Sequence, residues 1–405
     1  MRPEDSQFFC PLPWVHLSSR PNGDFRFCCR IQQKKIRVED NIARWQTTSV
    51  SDVWHSAEIE TIRSNMLNER PSPECAYCYI DEKNGLDSLR HKKIRQFYEK
   101  SVNIFSEGKG AETLPLEIDL KLGNTCNLSC VMCWPTSSSK VARETEELMK
   151  LGFHHERLAD DLQTSKKSNP SWAESVGFAE NMHSLFPYLQ RMSITGGEPF
   201  MNKTLFKLLE SAVLKKFSKA ISLDITTNLT LFSNKWAELL KEFGDIKLNI
   251  SVDGIRNQYT YVRYPSRWEE WKNKLQFTRR EGIPFTLFFT PSCHSIFGLT
   301  DFLNWTKENI GGLESVQPIA LYEPDFLCIS QLPKNAKLAL MKKLNNYIAQ
   351  CPESHRIIFP VINQMISAEA LDQNIELCID YTKAKDNLRK VDSRKLIPEF
   401  WEFYS

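Results

Sequence analysis

Three absences narrow the chain before any motif is read. No apolar run approaches the roughly 18 residues that span a bilayer, which excludes a helical membrane protein. The amino terminus, MRPEDSQFFCPLPW, lacks a charged segment leading into an apolar one, so no secretory signal is expected and the default location is the cytoplasm. An excess of either charge is missing too. Against 52 Lys and Arg stand 50 Asp and Glu, and a net charge of +2 gives no electrostatic basis for binding nucleic acid or a membrane surface. The basic runs HKKIR and VLKKF read as solvated helix faces. Internal repeats and low-complexity tracts are absent as well.

What is present is an ordinary globular composition, 41% apolar and 25% charged, over 405 residues, enough for two or three domains. It also holds 12 cysteines, a large number for a reducing compartment where disulfides do not persist. They are grouped. Cys126, Cys130 and Cys133 fall within eight residues, Cys75 and Cys78 form a C-x2-C pair, and Cys28 and Cys29 are adjacent. Such grouping points to metal or cluster ligation. Cys293, Cys328, Cys351 and Cys378 stand alone and read as small buried hydrophobes.

Residues 1–90 carry an Asn-Gly hairpin signal in RPNGDFRF and a helix in SDVWHSAEIETIRSNML, with Ser51 or Asp52 as N-cap. Residues 91–114 read as a basic helical linker, LRHKKIRQFYEKSVNIF, ending in the loop SEGKGAETLP. Over 115–325 strand and helix alternate. The strands are LEIDLKL, RMSIT, AISLDIT, IKLNISV, PFTLFFT and SVQPIAL, separated by helices such as NKTLFKLLESAVLKKF and SRWEEWKNKLQFTRREG. Six such units imply an α/β fold with a parallel sheet, closed or partly closed, and residues 326–405 form a helical carboxy-terminal extension. The polar and cysteine-bearing segments follow the strand ends, where parallel α/β barrels place their sites.

The triplet LGNTCNLSCVMCWP has a chemical reason. A four-iron cube normally takes four thiolates, and three on one loop leave one iron open, as a catalytic centre requires. Zinc with a remote fourth ligand and plain buried thiols are the rival readings. The nearest histidines, His154 and His155, fall in no finger spacing.

CNLSCVMC followed about seventy residues later by Gly196-Gly197-Glu198-Pro199 resembles the signatures of radical S-adenosylmethionine (SAM) enzymes. The resemblance covers about 115–325 and implies a partial (β/α)6 barrel. It further implies that Cys126, Cys130 and Cys133 hold a [4Fe–4S] cluster whose fourth iron binds SAM. Met132 would touch the adenine, Gly196, Gly197 and Glu198 the methionine ammonium, Ser251, Asp253 and Asn228 the ribose, and Arg263 the SAM carboxylate. Read from the residues alone, Ser251 and Asp253 are turn caps and Arg263 a surface ion pair.

Cys10, twelve residues, Gly23, four residues and Cys28, with Cys75 and Cys78 later, resembles the twitch and SPASM auxiliary-cluster domains, here placed before the barrel. Asn84 stands where a longer SPASM domain has its next cysteine, so one further cluster is implied, with Cys10, Cys28, Cys75 and Cys78 as ligands. Cys29 is the alternative to Cys28, and zinc the alternative to a second [4Fe–4S] cluster.

The implied reaction is reductive cleavage of SAM and hydrogen abstraction from a substrate, a net oxidation if the auxiliary cluster takes an electron. An electron donor such as flavodoxin or ferredoxin is the expected partner. A small molecule or carbohydrate is favoured over a peptide, because no leader-binding segment is visible. A non-enzymatic electron carrier accounts for the cysteines but not for GGEP and SVDG. His294, Glu323 and Asp325 follow strand ends and are candidate bases, none singled out, and Trp134 and Trp172 are candidate substrate contacts.

Overall fold

The structure is a computed structural model that describes residues 2–31, 35–83, 87–107, 114–169 and 171–404. Residues 108–113 of the expected linker loop, and Asn84, lie outside the described residues. The chain divides into two compact units. The first comprises Met1–Gly123, Asn169–Ile225 and Glu238–Ile246, and the second Asn124–Ser168, Thr226–Ala237 and Lys247–Ser405.

In the first unit, β1 (His16–Ser19) and β2 (Phe25–Arg26) form the expected hairpin, closed at Gly23, whose N–H donates to the Arg20 carbonyl at 2.9 Å. A small hairpin, β3 (Arg37–Val38) and β4 (Asn41–Ile42), follows. β5 (Glu117–Lys121), β6 (Arg191–Thr195) and β7 (Ser222–Thr227) pair in parallel. The sequence did not announce that β1 would join them. It pairs in parallel with β5, Ser18 opposite Asp119, so the strand order is β7-β6-β5-β1-β2.

Period-two alternation sets the two faces of this sheet. Leu17, Ile118, Met192 and Leu223 lie side by side in register, all essentially without exposure, as do Leu120, Ile194 and Ile225. The intervening positions, among them Asp119, Lys121, Ser193, Thr195 and Asp224, make a polar, half-buried face. The helix Lys203–Leu214 buries Leu205, Leu208, Leu209 and Ala212 at helical spacing.

The helix expected over 51–67 is two. Ser49 caps Val50–Trp54 by accepting from the Asp52 N–H, so neither Ser51 nor Asp52 is the N-cap, and Ala57–Leu67 follows after Ser56. The run breaks at His55 and Ser56, where Ser56 takes extended backbone as the N-cap residue of the second helix without a side-chain cap hydrogen bond. The basic linker is likewise split into Leu89–Gln96 and Tyr98–Glu107.

In the second unit, β8 (Asp245–Ser251, from Lys247), β9 (Phe285–Phe289) and β10 (Val316–Pro318) pair in parallel, with Ile250 opposite Leu287 and Val316 opposite Leu287. The helix Trp268–Arg280 falls where expected, and Leu299–Ile310 follows β9. The carboxy-terminal segment is helical: Lys334–Gln350, His355–Ile366, Asp372–Arg389, Ser393–Leu396 and Pro398–Trp401. Among the described residues no helix is long and apolar enough to cross a membrane.

Candidate functional site

The Cys126–Cys133 segment is neither helix nor strand, so its backbone groups must find partners elsewhere. They find them within the second unit. Ser129 N–H donates to the Tyr264 carbonyl at 2.7 Å and Val131 N–H to the Val262 carbonyl at 2.8 Å. Tyr381 donates from its hydroxyl to the Val131 carbonyl at 3.0 Å, and Arg389 Nη2 donates to the Ser129 carbonyl. Asn127, between the first two cysteines, is held in a side-chain network: Asn228 donates to its Oδ1 at 3.0 Å, and it donates to Thr230 Oγ1 at 2.8 Å.

The loop brings its three thiols within electrostatic reach of one another. Burial pushes the Cys130 thiol up to about 11, against the pull of the Arg263 guanidinium, and burial followed by Cys130 and Cys126 pushes Cys133 up further. Cys130 and Cys133 resist ionisation unless a cation shares them, and three thiols crowded on one loop suit a thiolate-bound cluster. The same unit holds Met132, buried beside Cys133, and Asn228, 5% exposed.

Asp253 and Arg263 meet each other. Arg263 Nη1 donates to Asp253 Oδ2 in a buried ion pair, and Asp253 Oδ1 accepts from the Thr290 N–H at 2.6 Å. The surface ion pair read from the residues alone is therefore buried, with Arg263 only 7% and Asp253 1% exposed. Arg263 Nε has no partner and remains a buried donor for an anionic group. Asp253 takes φ +42, an uncommon conformation for a non-glycine residue. Ser251, the last residue of β8, is half-buried.

Gly196, Gly197 and Glu198 belong to the first unit. Gly196 has φ +86, and a Cβ there would come within 2.8 Å of the Gly123 carbonyl oxygen, so only glycine fits. Glu198, 1% exposed, caps the turn Pro199–Met201 by accepting from the Phe200 N–H at 3.1 Å.

The remaining candidates separate clearly. His294 lies wholly inside the second unit, its Nε2 2.7 Å from Thr382 Oγ1 and its ring stacked on Phe400, and burial holds its pKa down to about 3. A base at an open site it is not. Glu323 is paired with Arg157 at 2.6 Å, and Asp325 lies 3.6 Å from His155. Trp172, 1% exposed, is core: it donates to the Pro21 carbonyl at 2.8 Å and packs where a Gly23 Cβ would stand. Trp134 is half-buried beside Cys133. His155 caps a helix through Nδ1, accepting from the Leu158 N–H at 3.3 Å, and His154 is exposed. Cys293, Cys328, Cys351 and Cys378 are all buried.

The first unit gathers the second cysteine set. Cys10, Cys28, Cys75 and Cys78 border one cavity with Phe27, Met66, Tyr77 and Arg90, whereas Cys29 does not line it. Gly23 makes this possible, since its φ of +83 closes the hairpin that carries Cys28 back. Burial pushes the Cys10 thiol up, with Cys75 and Cys78 adding to it, and Cys75 is pushed up to about 12. Among the described residues no three His, Cys, Asp or Glu side chains are gathered as ligands of a single ion. Four thiols around a cavity fit a group with a thiolate at each corner.

Sequence reasoning missed the residues that hold both sets. Arg90, 3% exposed, donates to the Ser6 and Phe9 carbonyls at 2.9 Å each and to Glu82, tying the Cys10 segment to the helix that carries Cys78. Tyr381, Lys385 and Arg389 lie on one face of the helix Asp372–Arg389, and Lys385 and Arg389 both pair with Glu144. Their i, i+4, i+8 spacing was visible, but a basic stripe reads first as a solvated face.

Comparison with known proteins identifies two families. Residues 120–299 match the family model of the radical SAM superfamily, and residues 10–79 match that of the SPASM iron–sulfur cluster-binding domain, a span running from Cys10 to one residue past Cys78. An uncharacterized protein of Methanocaldococcus jannaschii is 28% identical over 137 residues, 34% of this chain and 38% of its own. A GTP 3',8-cyclase of Listeria monocytogenes is 26% identical over 194 residues, 47% of this chain and 50% of its own. The sporulation killing factor maturation protein SkfB of Bacillus subtilis is 24% identical over 190 residues, 44% of this chain and 36% of its own. The chain thus spans half or less of the length of these curated relatives. Among solved structures, anSMEcpe with bound AdoMet gives a TM-score of 0.42 at 16% identity, over 60% of this chain and 63% of that one. Streptococcus suis SuiB bound to its precursor peptide SuiA gives 0.35 at 15%, over 82% and 70%.

Proposed function

Since the chain carries a radical SAM domain behind a SPASM iron–sulfur cluster-binding domain, an arrangement that makes it an enzyme and implies a [4Fe–4S] cluster, SAM and auxiliary iron–sulfur, we propose that it abstracts hydrogen from a small polar substrate in a net oxidation. The observation that carries this reading is the Cys126, Cys130 and Cys133 loop, with three thiols on one irregular segment whose backbone is anchored by Tyr264, Val262, Tyr381 and Arg389. When bound, the cluster and SAM supply a 5′-deoxyadenosyl radical by one-electron reduction.

The chain's own residues do the rest. Cys126, Cys130 and Cys133 hold three corners of the cluster, and Asn127, Tyr381 and Arg389 fix the loop so that the corners keep their spacing. Arg263, with Asp253 aligning it, presents Nε and its charge to the SAM carboxylate. Gly196 and Gly197 give the methionine ammonium access to backbone carbonyls, and Met132, Ser251 and Asn228 are assigned to the adenosine. Cys10, Cys28, Cys75 and Cys78 hold the auxiliary cluster, and Arg90 keeps their segments together. A flavodoxin or ferredoxin supplies the electron. Burial of His294 removes one candidate base, Glu323 is ion-paired with Arg157, and Asp325 lies 3.6 Å from the His155 ring.

The relatives include both a GTP 3',8-cyclase and a maturation protein, so their names divide between a small molecule and a peptide. The polar sheet face of the first unit supports the former, because side chains of both charges line it at β-strand spacing. The test is anaerobic: dithionite-reduced, reconstituted protein is incubated with SAM, and 5′-deoxyadenosine is measured. Formation in wild type and none in Cys130→Ala is expected; no formation in either ends this reading.

A further inference from the structure

Several charges on the polar face of the first unit are ion-paired. Glu117 is held by Lys93 at 2.6 Å, Asp224 by Arg191, and Asp24 by Arg44 at 3.1 Å. Two guanidiniums of the β1–β2 hairpin have no such partner. Arg26 stands opposite Ser18, which stands opposite Asp119, so the three share a face of the sheet. Arg26 is 4% exposed, its Nη1 donates only to the carbonyl of the adjacent Phe25, and its Nε has no partner at all. Arg20, half-buried, donates to the Ile31 carbonyl. The two guanidiniums are near enough to repel one another.

A buried guanidinium with an unpaired donor is costly, and two side by side are more so unless an anion sits between them. The carboxylates in reach do not serve. Asp24 is engaged by Arg44, and Asp119 lies within electrostatic range of Arg20 without closing to an ion pair, its own Oδ1 buried and without a partner. Cys29 and Cys28 lie within electrostatic range of Arg20, but neither arginine lines the four-cysteine cavity, where Arg30 and Arg90 are the cations.

We propose that Arg20 and Arg26 bind an anionic group of the substrate, a carboxylate or a phosphate, while Asp119 Oδ1 accepts a hydrogen bond from a donor on the same molecule. Guanidiniums suit either oxyanion because their paired N–H groups match its geometry. The small polar substrate proposed above thereby gains a definite chemistry: one oxyanion and one donor. The assignment to substrate rests on that reading, but anion binding itself does not.

Calorimetric titration of the cluster-loaded protein tests it, with sodium phosphate and, separately, sodium acetate, at ionic strength fixed by sodium chloride. SAM and reductant are omitted, so failure of the radical reading, assayed in the same preparation as 5′-deoxyadenosine, is seen independently. Saturable binding of at least one anion is expected in wild type, weakened about tenfold or more in Arg20→Gln and Arg26→Gln and partly restored in Arg20→Lys. Preference for phosphate assigns a phosphoryl group, and comparable binding of acetate a carboxylate. If Arg26→Gln fails to fold, the half-buried Arg20 pair of variants still decides. Absence of saturable binding in wild type, or equal binding by wild type and Arg20→Gln, overturns the proposal. So does a changed auxiliary-cluster potential in Arg20→Gln with anion binding intact, which would make the arginines partners of the cluster.

Discussion

Arg389 donates from Nη2 to the carbonyl oxygen of Ser129, so the last turn of the helix Asp372–Arg389 is fastened to the middle of the cysteine loop. The same guanidinium reaches Glu144 at 2.8 Å through Nη2 and at 3.0 Å through Nε, and it lies 4.6 Å over the Tyr264 ring. The carboxy-terminal helix therefore acts on the proposed cluster site without supplying a ligand to it.

Replacing Arg389 by Met is expected to cost about 3–5 kcal/mol, since it leaves Glu144 with Lys385 alone and the Ser129 carbonyl unpaired. Iron bound by the triplet should fall as well. Thermal unfolding and iron content after anaerobic reconstitution check both, and a variant with unchanged values would detach this helix from the site.

Glu144 sets an acid limit on that fastening. Burial alone would raise its pKa, but Lys385 and then Arg389 outweigh burial and hold it at about 2. A folded pKa below the ordinary 4.5 stabilises the native state above that ordinary value, and the contribution is lost as pH falls from about 4.5 toward 2. Glu144→Gln should be less stable than wild type at pH 7, with the gap narrowing below about pH 5. Urea unfolding at pH 7, 5 and 3.5 measures it; a gap that widens with acid contradicts the assignment.

The strands and the thiols were legible in the sequence for physical reasons, and the supports were not. Ile118, Leu120, Met192 and Ile194 alternate with polar residues, a local pattern that survives any tertiary context. The cysteines were legible because thiols at short spacing have few other uses in a reducing compartment. By contrast, the parallel pairing of β1 with β5 joins residues about a hundred apart, and no local signal encodes it. Lys385 and Arg389 escaped because burial of a basic stripe depends on Glu144, some 240 residues away. Trp172, a candidate substrate contact that packing explained at least as well, is core.

The two cysteine sets should load independently. Replacing Cys126, Cys130 and Cys133 by Ala is expected to lower iron from about eight to about four per chain, on cubane stoichiometry. A fall from about four to none would mean that the cavity of Cys10, Cys28, Cys75 and Cys78 holds no iron–sulfur cluster.

Gly23→Ala should show the reverse selectivity. At φ +83 a new Cβ would meet Gln46 Oε1 at 2.5 Å and Trp172 Cδ2 at 2.9 Å, and the indole is itself fixed to the Pro21 carbonyl. Conformational strain of about 1–3 kcal/mol adds to that clash. Iron should fall by about four per chain, from the amino-terminal set, while SAM cleavage by the other cluster is retained. Loss of both would show that the hairpin supports the whole fold rather than one site.

Gly196→Ala separates SAM binding from cluster binding. The added methyl would lie 2.8 Å from the Gly123 carbonyl oxygen and 3.0 Å from the Lys121 Cα, and these are backbone atoms at the end of β5 that cannot rotate away. The turn must shift, and the carbonyls proposed for the methionine ammonium would shift with it. Iron content should stay at the wild-type value, since no cysteine is touched, while SAM affinity measured by equilibrium dialysis drops about tenfold or more. Unchanged affinity would remove the Gly196–Glu198 turn from the SAM site and leave its glycines a purely conformational role. Loss of iron together with affinity would instead show that the substitution disturbs the fold at large, and the two measurements on one preparation decide between these outcomes.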